Sequence, residues 1–177
     1  MLFDALLFSA DCLLMGQTSY GENKSRVSLK TESEETILFF RTDSNTFRRI
    51  INATNEKVCD LVILYANQNR RVICFCELKG SQVNDAKEQI INTHRLLMQY
   101  FTKQNLFLSL ESKAIIVPSG SFPKDTKKIR EELANTVCSS TQNVDICRSR
   151  EIGDFLRGAT QKSDRKGKKK NRKNRST

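Results

Sequence analysis

Two short apolar runs joined by a polar turn, between residues 58 and 79, constrain the fold more than any other feature of this sequence. The first run extends from Val58 to Tyr65, the second begins at Arg71, and Ala66-Asn67-Gln68-Asn69 connects them. Both runs are rich in β-branched and aromatic residues, and the connection has the composition of a turn. The sequence therefore predicts a pair of antiparallel strands here.

Three charged side chains occupy particular positions in this predicted hairpin. Asp60 opens the first strand, and Glu77 and Lys79 close the second. The start of one strand in a hairpin lies beside the end of the other, so the three residues are expected at one end of the pair. Glu77 and Lys79 are expected on the same face, because side chains alternate along a strand. Gathering two carboxylates and an ammonium beside apolar strands is costly, which indicates a binding site.

The chemistry of this trio suits phosphodiester hydrolysis. Two carboxylates at one point can hold a hard divalent cation such as Mg²⁺ through their oxygens. Such a cation polarises a phosphodiester oxygen and lowers the pKa of a bound water. A lysine beside it can orient that water or neutralise the charge that develops on the phosphate.

The pattern resembles that of the PD-(D/E)xK nuclease superfamily, which has the restriction-endonuclease-like fold. Its members carry an Asp at a strand start and (Asp/Glu)-x-Lys at the end of the next strand; Cys59 stands here in place of the preceding Pro. The resemblance implies that Asp60, Glu77 and the Leu78 carbonyl bind Mg²⁺ or Mn²⁺, and that Lys79 serves the attacking water. Glu-x-Lys also occurs at residues 22–24 and 111–113, but only the middle copy ends an apolar strand.

The segment that follows Lys79 supports the same interpretation. Apolar residues at helical spacing predict a helix from Asn84 to Phe101, and strand, turn, helix is the order that this superfamily uses. By resemblance, Gln89 on this helix positions a phosphate or the water, although a solvated helix residue is an equally good interpretation. His94, the only histidine, lies near the apolar stripe, which favours a packed side chain over a catalytic base.

The remaining periodicity predicts the rest of an α/β fold. We expect a helix over residues 1–15, short strands near 26–29, 36–41 and 47–51, a strand at 113–118, a helix at 123–137, an edge strand at 144–148 and a short helix within 151–156. The resemblance implies a restriction-endonuclease-like core in the order helix, three strands, helix, strand, with a mixed sheet flanked by helices. A further acidic ligand from the N-terminal region stays open among Asp11, Glu22 and Glu35.

Composition and charge divide the chain into a domain of residues 1–161 and a tail of residues 162–177. The tail has nine Lys or Arg residues and one Asp, so it carries +8 of the formal net charge of +10. It has no apolar residue to bury, which predicts disorder. Such a segment gains free energy on a polyanion through counterion release, with little sequence selectivity. The tail therefore indicates a nucleic-acid partner.

Composition also bears on compartment and membrane association. No apolar run approaches the roughly 20 residues that a membrane span needs, which predicts no membrane partner. The six cysteines form no Cys-x-x-Cys pair, so zinc is not expected, and buried free thiols in a reducing compartment are. We expect a cytoplasmic protein, or a nuclear one if the source is eukaryotic.

These features predict a metal-dependent endonuclease that hydrolyses phosphodiester bonds in nucleic acid, with DNA favoured over RNA. Two other functions stay open: a catalytically inactive nucleic-acid-binding module of the same fold, and an interaction subunit whose tail contacts an acidic protein. The resemblance also allows a homodimer, because many of these nucleases pair to cut two strands.

Overall fold

The structure, a computed structural model, describes residues 11–22, 24–78, 83–106, 109–119, 125–148 and 150–158. The described part is a mixed α/β fold with two β-sheets. The strands are β1 (Ser19–Glu22), β2 (Ser25–Ser28), β3 (Thr36–Arg41), β4 (Leu61–Ala66), β5 (Arg71–Glu77), β6 (Glu111–Ile116), β7 (Val144–Ile146) and β8 (Arg150–Glu151). The α-helices are α1 (Asn45–Ile50), α2 (Val83–Lys103), α3 (Thr126–Leu133) and α4 (Gly153–Arg157). A π-helical turn (Ala134–Cys138) follows α3, and a 3₁₀ turn (Thr141–Asn143) precedes β7.

The larger sheet has five strands in the order β3-β4-β5-β6-β7. Strands β3, β4 and β5 form an antiparallel meander, whereas β6 and β7 are parallel to β5. A parallel pair needs a crossover, and α2 lies between β5 and β6 in the chain. The smaller sheet pairs β1 with β2 antiparallel and β2 with β8 parallel.

The predicted hairpin is confirmed as β4 and β5. Leu61 pairs with Cys76 and Ala66 with Arg71, so the two strands are in full register. The turn is closed by an Asn67 N–H that donates to the Arg70 carbonyl at 3.0 Å. The Asn67 side chain accepts from Asn69 N–H at 3.0 Å, a local bond that explains why asparagine favours this turn.

Both faces of the hairpin are buried, which is why its strands read as continuous apolar runs and not as alternating ones. Val62 and Phe75 contribute to a core on one face, together with Ile90 of α2. Leu61 and Cys76 contribute to a second core on the other face. The hairpin is therefore the central layer of the molecule, and its ends are held by packing on two sides.

Other predicted elements agree with the described structure. The strands expected near residues 26–29, 36–41, 113–118 and 144–148 are β2, β3, β6 and β7, and the helix expected from Asn84 is α2. The short helix within 151–156 is α4, although β8 precedes it. All six cysteines are buried and unbridged, as expected for free thiols. In the described ranges, no helix has the length and apolar character to cross a membrane.

The prediction of a strand at residues 47–51 is wrong, because this segment forms α1. Ser44 caps that helix: its Oγ accepts from the Phe47 N–H at 3.0 Å. Serine before a short apolar segment is a helix-start signal as well as a turn residue, so the composition of residues 42–45 is compatible with either. Phe47 is fully buried in the hydrophobic core to which α2 also contributes. Packing and capping therefore outweigh the strand preference of an aromatic residue.

Two helix predictions need correction at their ends. Of the helix expected over residues 1–15, residues 1–10 lie outside the described part, and residues 11–15 are not helical. Leu13 bridges Phe40 instead, and Leu14 N–H donates to the Phe39 carbonyl at 2.9 Å, so this segment lies along the edge of β3. The helix expected from residue 123 begins at Thr126 and turns π-helical at Ala134. The predicted tail at 162–177 lies outside the described residues.

Candidate active site

The carboxylates of Asp60 and Glu77 meet at one end of the hairpin. Asp60 immediately precedes β4, Glu77 is the last residue of β5, and the Leu61–Cys76 pairing places them opposite each other. The Asp60 N–H donates to Glu77 Oε2 at 3.0 Å, and the Leu78 N–H donates to Asp60 Oδ2 at 2.7 Å. Each carboxylate therefore accepts a backbone hydrogen bond from the opposite strand, which fixes both at this end.

Burial differs between the two acids. Glu77 is 0% exposed, whereas Asp60 is half-buried and lies nearer to solvent. An ionised carboxylate has two oxygens with about four lone-pair positions, so each can accept these backbone bonds and also bind a cation. One deep and one accessible carboxylate thus form a site that opens toward solvent on the Asp60 side.

Two cysteines stand next to this pair in the sequence. Burial raises the pKa of the Cys59 thiol to about 12, and the charges of Glu77 and Asp60 add to the shift. Burial also raises the pKa of Cys76 well above its ordinary value, so both thiols are protonated at neutral pH in the metal-free protein. The two carboxylates supply oxygen donors, which suit Mg²⁺ or Mn²⁺.

The buried side chain of Thr93 connects helix α2 with Cys59, the residue before Asp60. The Cys59 N–H donates to Thr93 Oγ1 at 2.8 Å, and the Thr93 hydroxyl donates to the Gln89 carbonyl at 2.7 Å. Gln89 lies one turn from Thr93 on the same face of α2 and is only 7% exposed. It is therefore not a solvated helix residue; its contact with a phosphate or a water stays a prediction.

Thr93→Val is expected to destabilise the protein by about 2 kcal/mol, because it leaves the buried Cys59 N–H without its acceptor. Valine keeps the shape and the β-branch, so the loss reports the two hydrogen bonds of the hydroxyl, to Cys59 N–H and to the Gln89 carbonyl. Urea denaturation at pH 7 measures it. Thr102→Val is the matched control: Thr102 also donates to a carbonyl one turn back, Met98, at 3.0 Å, but on an exposed face. Equal losses in the two variants would contradict the assigned role of Thr93.

The remaining residues of the predicted metal site are placed only in part. Leu78 is 4% exposed and contacts Asp60 through its N–H; its carbonyl as a ligand stays a prediction. The Glu77 carbonyl accepts from Val117 N–H at 2.9 Å. Lys79 lies outside the described residues. In the described ranges, no three His, Cys, Asp or Glu side chains are grouped to hold a metal, so the candidate has two carboxylates.

The three acids left open as a further ligand have different positions. Glu35 lies at the far end of β4, where Tyr65 OH donates to it at 2.8 Å. Asp11 accepts from Thr46 N–H at 3.2 Å, at the start of α1. Glu22 accepts from Tyr20 OH at 2.8 Å. Glu22 is linked to the site through the electrostatics of Tyr20, and the Asp11 carbonyl accepts from Arg41, which pairs with Leu61 next to Asp60.

The link between Glu22 and the site is electrostatic: the charges of three acids raise the pKa of the Tyr20 side chain. Burial raises the pKa of Tyr20, and the hydrogen bond to Glu22 and the charges of Asp43 and Asp60 raise it further. Tyr20 therefore lies within electrostatic range of Glu22, Asp43 and Asp60. Sequence patterns alone do not single out Asp43, because it lies in a segment with turn composition.

His94 is a packed residue, as expected. Its ring contacts Phe75 edge-on, with 5.4 Å between the ring centroids. Burial lowers the pKa of the imidazole, so the side chain is neutral at pH 7. A neutral imidazole packed on a core phenylalanine contributes to the interior beside α2.

Comparisons with protein-family models, with curated proteins and with solved structures return no match for this chain. The geometry of the site and the order of the elements are therefore the basis for assigning a function.

Proposed function

We propose that this protein is a metal-dependent nuclease of the PD-(D/E)xK class, hydrolysing phosphodiester bonds in nucleic acid, with DNA favoured over RNA. The observation that carries the proposal is the pair of reciprocal hydrogen bonds between the hairpin ends, Asp60 N–H to Glu77 and Leu78 N–H to Asp60. They hold two carboxylates from neighbouring strands at one point. A purely structural hairpin has no need of a fully buried glutamate at its end.

The order of the elements supports the same class. Strands β3, β4 and β5 form a meander, α2 follows, and β6 is parallel to β5. This is the superfamily core order without its first helix, which was expected over residues 1–15, of which residues 1–10 lie outside the described part. The candidate acids also occupy the expected ends of the second and third of these strands.

Each residue then has a distinct role in the proposed mechanism. Asp60, Glu77 and the Leu78 carbonyl supply the oxygen ligands for Mg²⁺ or Mn²⁺, and Lys79 aligns the attacking water. Gln89 orients that water or a phosphate oxygen from the face of α2. The cation, when bound, polarises the phosphate and lowers the pKa of a water. The buried Thr93–Cys59 contact keeps α2 at a constant distance from the carboxylates.

A nuclease panel tests the proposal. The purified protein is incubated with single- and double-stranded DNA and RNA, with Mg²⁺, with Mn²⁺, and with a chelator. We expect cleavage of at least one substrate that needs the cation, and Lys79→Ala should abolish cleavage while leaving binding nearly intact. If wild type and Lys79→Ala are equally inert on every substrate, the chain is a binding module and the nuclease assignment is wrong.

Deleting residues 162–177 is expected to weaken nucleic-acid binding and to flatten its salt dependence, while cleavage at saturating substrate is unchanged. Each phosphate that a cation neutralises contributes about 0.9 to the slope of log K against log salt for duplex DNA. Titrations between about 50 and 200 mM salt give the binding affinity and the slope of its salt dependence for each protein. A tail with the same residues in scrambled order is the matched control and should bind as wild type does. An unchanged slope would remove the tail from substrate binding.

A further inference from the structure

A cavity of about 630 Å³ lies at the β7 edge of the larger sheet, between α3, the 3₁₀ turn and α4. Its walls include Arg70, Lys113, Lys127, Arg130, Asp145 and Phe155. Arg70 precedes β5 whereas Glu77 ends it, so the cavity and the candidate active site are separated by about 20 Å along that strand. The cavity is therefore a separate feature, with its own set of charged residues.

Lys113 forms the floor of this cavity and is only 2% exposed. Its Nζ lies 3.2 Å from Asn143 Oδ1 and 3.6 Å from Glu111 Oε1, and 4.5 Å above the ring centroid of Phe155. Burial lowers the pKa of Lys113, although the charge of Glu111 opposes that shift. A lysine is seldom buried to this degree unless it is paired; Glu111 and Asn143 are its partners here, and Lys113 also lines the cavity.

The carboxylate beside Lys113 is shared with a second cation. Arg70 binds Glu111 through two nitrogens, Nε at 2.7 Å and Nη2 at 3.2 Å. This fork geometry makes a strong, charge-assisted ion pair that uses both oxygens of Glu111. Two cations therefore face one carboxylate, which leaves one positive charge uncompensated on this wall.

The neighbouring strand β7 repeats this imbalance. Asp145 accepts a hydrogen bond from Arg150, and Arg130 Nη2 lies 3.6 Å from its other oxygen. Lys127 on the rim is balanced by Glu131, 3.8 Å away. The two shared carboxylates thus leave a surplus of two positive charges around one cavity. The first turn of α3, whose Asp125 side chain makes no capping bond, adds the positive end of a helix dipole.

We propose that this cavity binds a phosphate monoester of a small organic molecule. A monoester is close to a dianion at neutral pH, which matches the surplus charge of the walls. The volume lies in the range of small-molecule sites and exceeds what inorganic phosphate occupies. Phe155 supplies an apolar wall for the organic part, and Thr126, Thr141 and Asn143 supply neutral donors. None of these residues belongs to the proposed nuclease site.

The test is calorimetric titration of the full chain with phenyl phosphate and with inorganic phosphate, in a chelator and at matched chloride concentration. We expect phenyl phosphate to bind more tightly than inorganic phosphate. Lys113→Met should weaken binding about 10- to 100-fold, since it removes a buried charged donor. Lys127→Gln, whose side chain is 91% exposed in the wild type, should fold normally and weaken binding about two- to fivefold. Lys103→Gln, on an exposed part of α2, is the control and should have no effect.

The proposal is overturned if phenyl phosphate releases no more heat than chloride does, if wild type and a folded Lys113→Met bind it equally, or if Glu77→Gln loses binding. The last would place the ligand in the candidate active site instead. If Lys113→Met does not fold, Lys127→Gln carries the test, and an unchanged affinity in that variant contradicts the site. Binding of an oligonucleotide but not of phenyl phosphate would also contradict it, since the cavity would then serve a polymer. Binding that persists without any nuclease activity supports the cavity and separates it from the proposed function.

Discussion

Glu77→Gln is expected to lower the rate of metal-dependent phosphodiester cleavage by about 10²- to 10³-fold, the scale of removing one electrostatic stabiliser from an active site. Glutamine has the shape of glutamate, and its amide oxygen can still accept the Asp60 N–H that now donates to Glu77 Oε2 at 3.0 Å. The strand ends therefore keep their position. What is lost is a negative charge at a fully buried point, where a cation would gain most from it.

Single-turnover cleavage and metal-dependent thermal shifts measure this loss independently. A ligand at 100 times its Kd stabilises a folded protein by about 2.7 kcal/mol. Adding Mn²⁺ should therefore raise the melting temperature of the wild type but not that of Glu77→Gln. Glu88→Gln removes a carboxylate from the exposed face of α2 and is the matched control. A Glu77→Gln protein that cleaves at the wild-type rate, or that keeps the metal-dependent shift, would contradict the assignment of Glu77 as a ligand.

The hairpin and the meeting of Asp60 with Glu77 could be predicted because both follow from local rules. A turn of four polar residues sets the register, and register alone places residue 60 opposite residue 77. Helix α2 could be predicted equally well, because its apolar residues recur at helical spacing over many turns. Local patterns thus describe the centre of the fold and the first two residues of the candidate site.

Contacts between distant parts of the chain could not be predicted in this way. Thr93 reaches Cys59 across 34 residues, and no pattern in the sequence connects a helix threonine with a backbone N–H before a strand. The surplus of positive charge around Lys113 likewise depends on tertiary ion pairs, Arg70 with Glu111 and Arg130 with Asp145. The strand prediction for residues 47–51 was wrong for a different reason: the side chain of Ser44 caps this segment as a helix. Sequence periodicity reports which faces are buried, whereas polar partners are selected by the finished fold.

Glu35 illustrates the same limit and has a structural role of its own. It was one of three acids considered as a further metal ligand, but Arg157 holds it through two nitrogens, Nε at 2.8 Å and Nη2 at 2.9 Å. These residues are 122 positions apart, and the Glu35 side chain is only 4% exposed. Arg157 Nη2 also donates to the Lys30 carbonyl at 2.6 Å, and Tyr65 OH donates to Glu35 at 2.8 Å. The pair therefore joins α4 to the start of β3.

Arg157→Ala is expected to destabilise the protein by about 3 kcal/mol at pH 7, because it leaves the Glu35 carboxylate buried without its cation. The hydrogen bond from Arg157 lowers the pKa of Glu35 from 4.5 to about 2 in the folded protein. A lowered pKa means that folding favours the charged form, so this stabilisation is complete above about pH 4.5 and is lost as the pH falls toward 2. The difference between wild type and Arg157→Ala should therefore shrink over that interval. Urea denaturation at pH 7, 5 and 3 measures it, with Lys127→Ala, which breaks the exposed pair with Glu131, as a control that should change stability by less than about 0.5 kcal/mol. A difference that stays constant across this range would show that Arg157 acts through packing of α4 and not through the charge of Glu35.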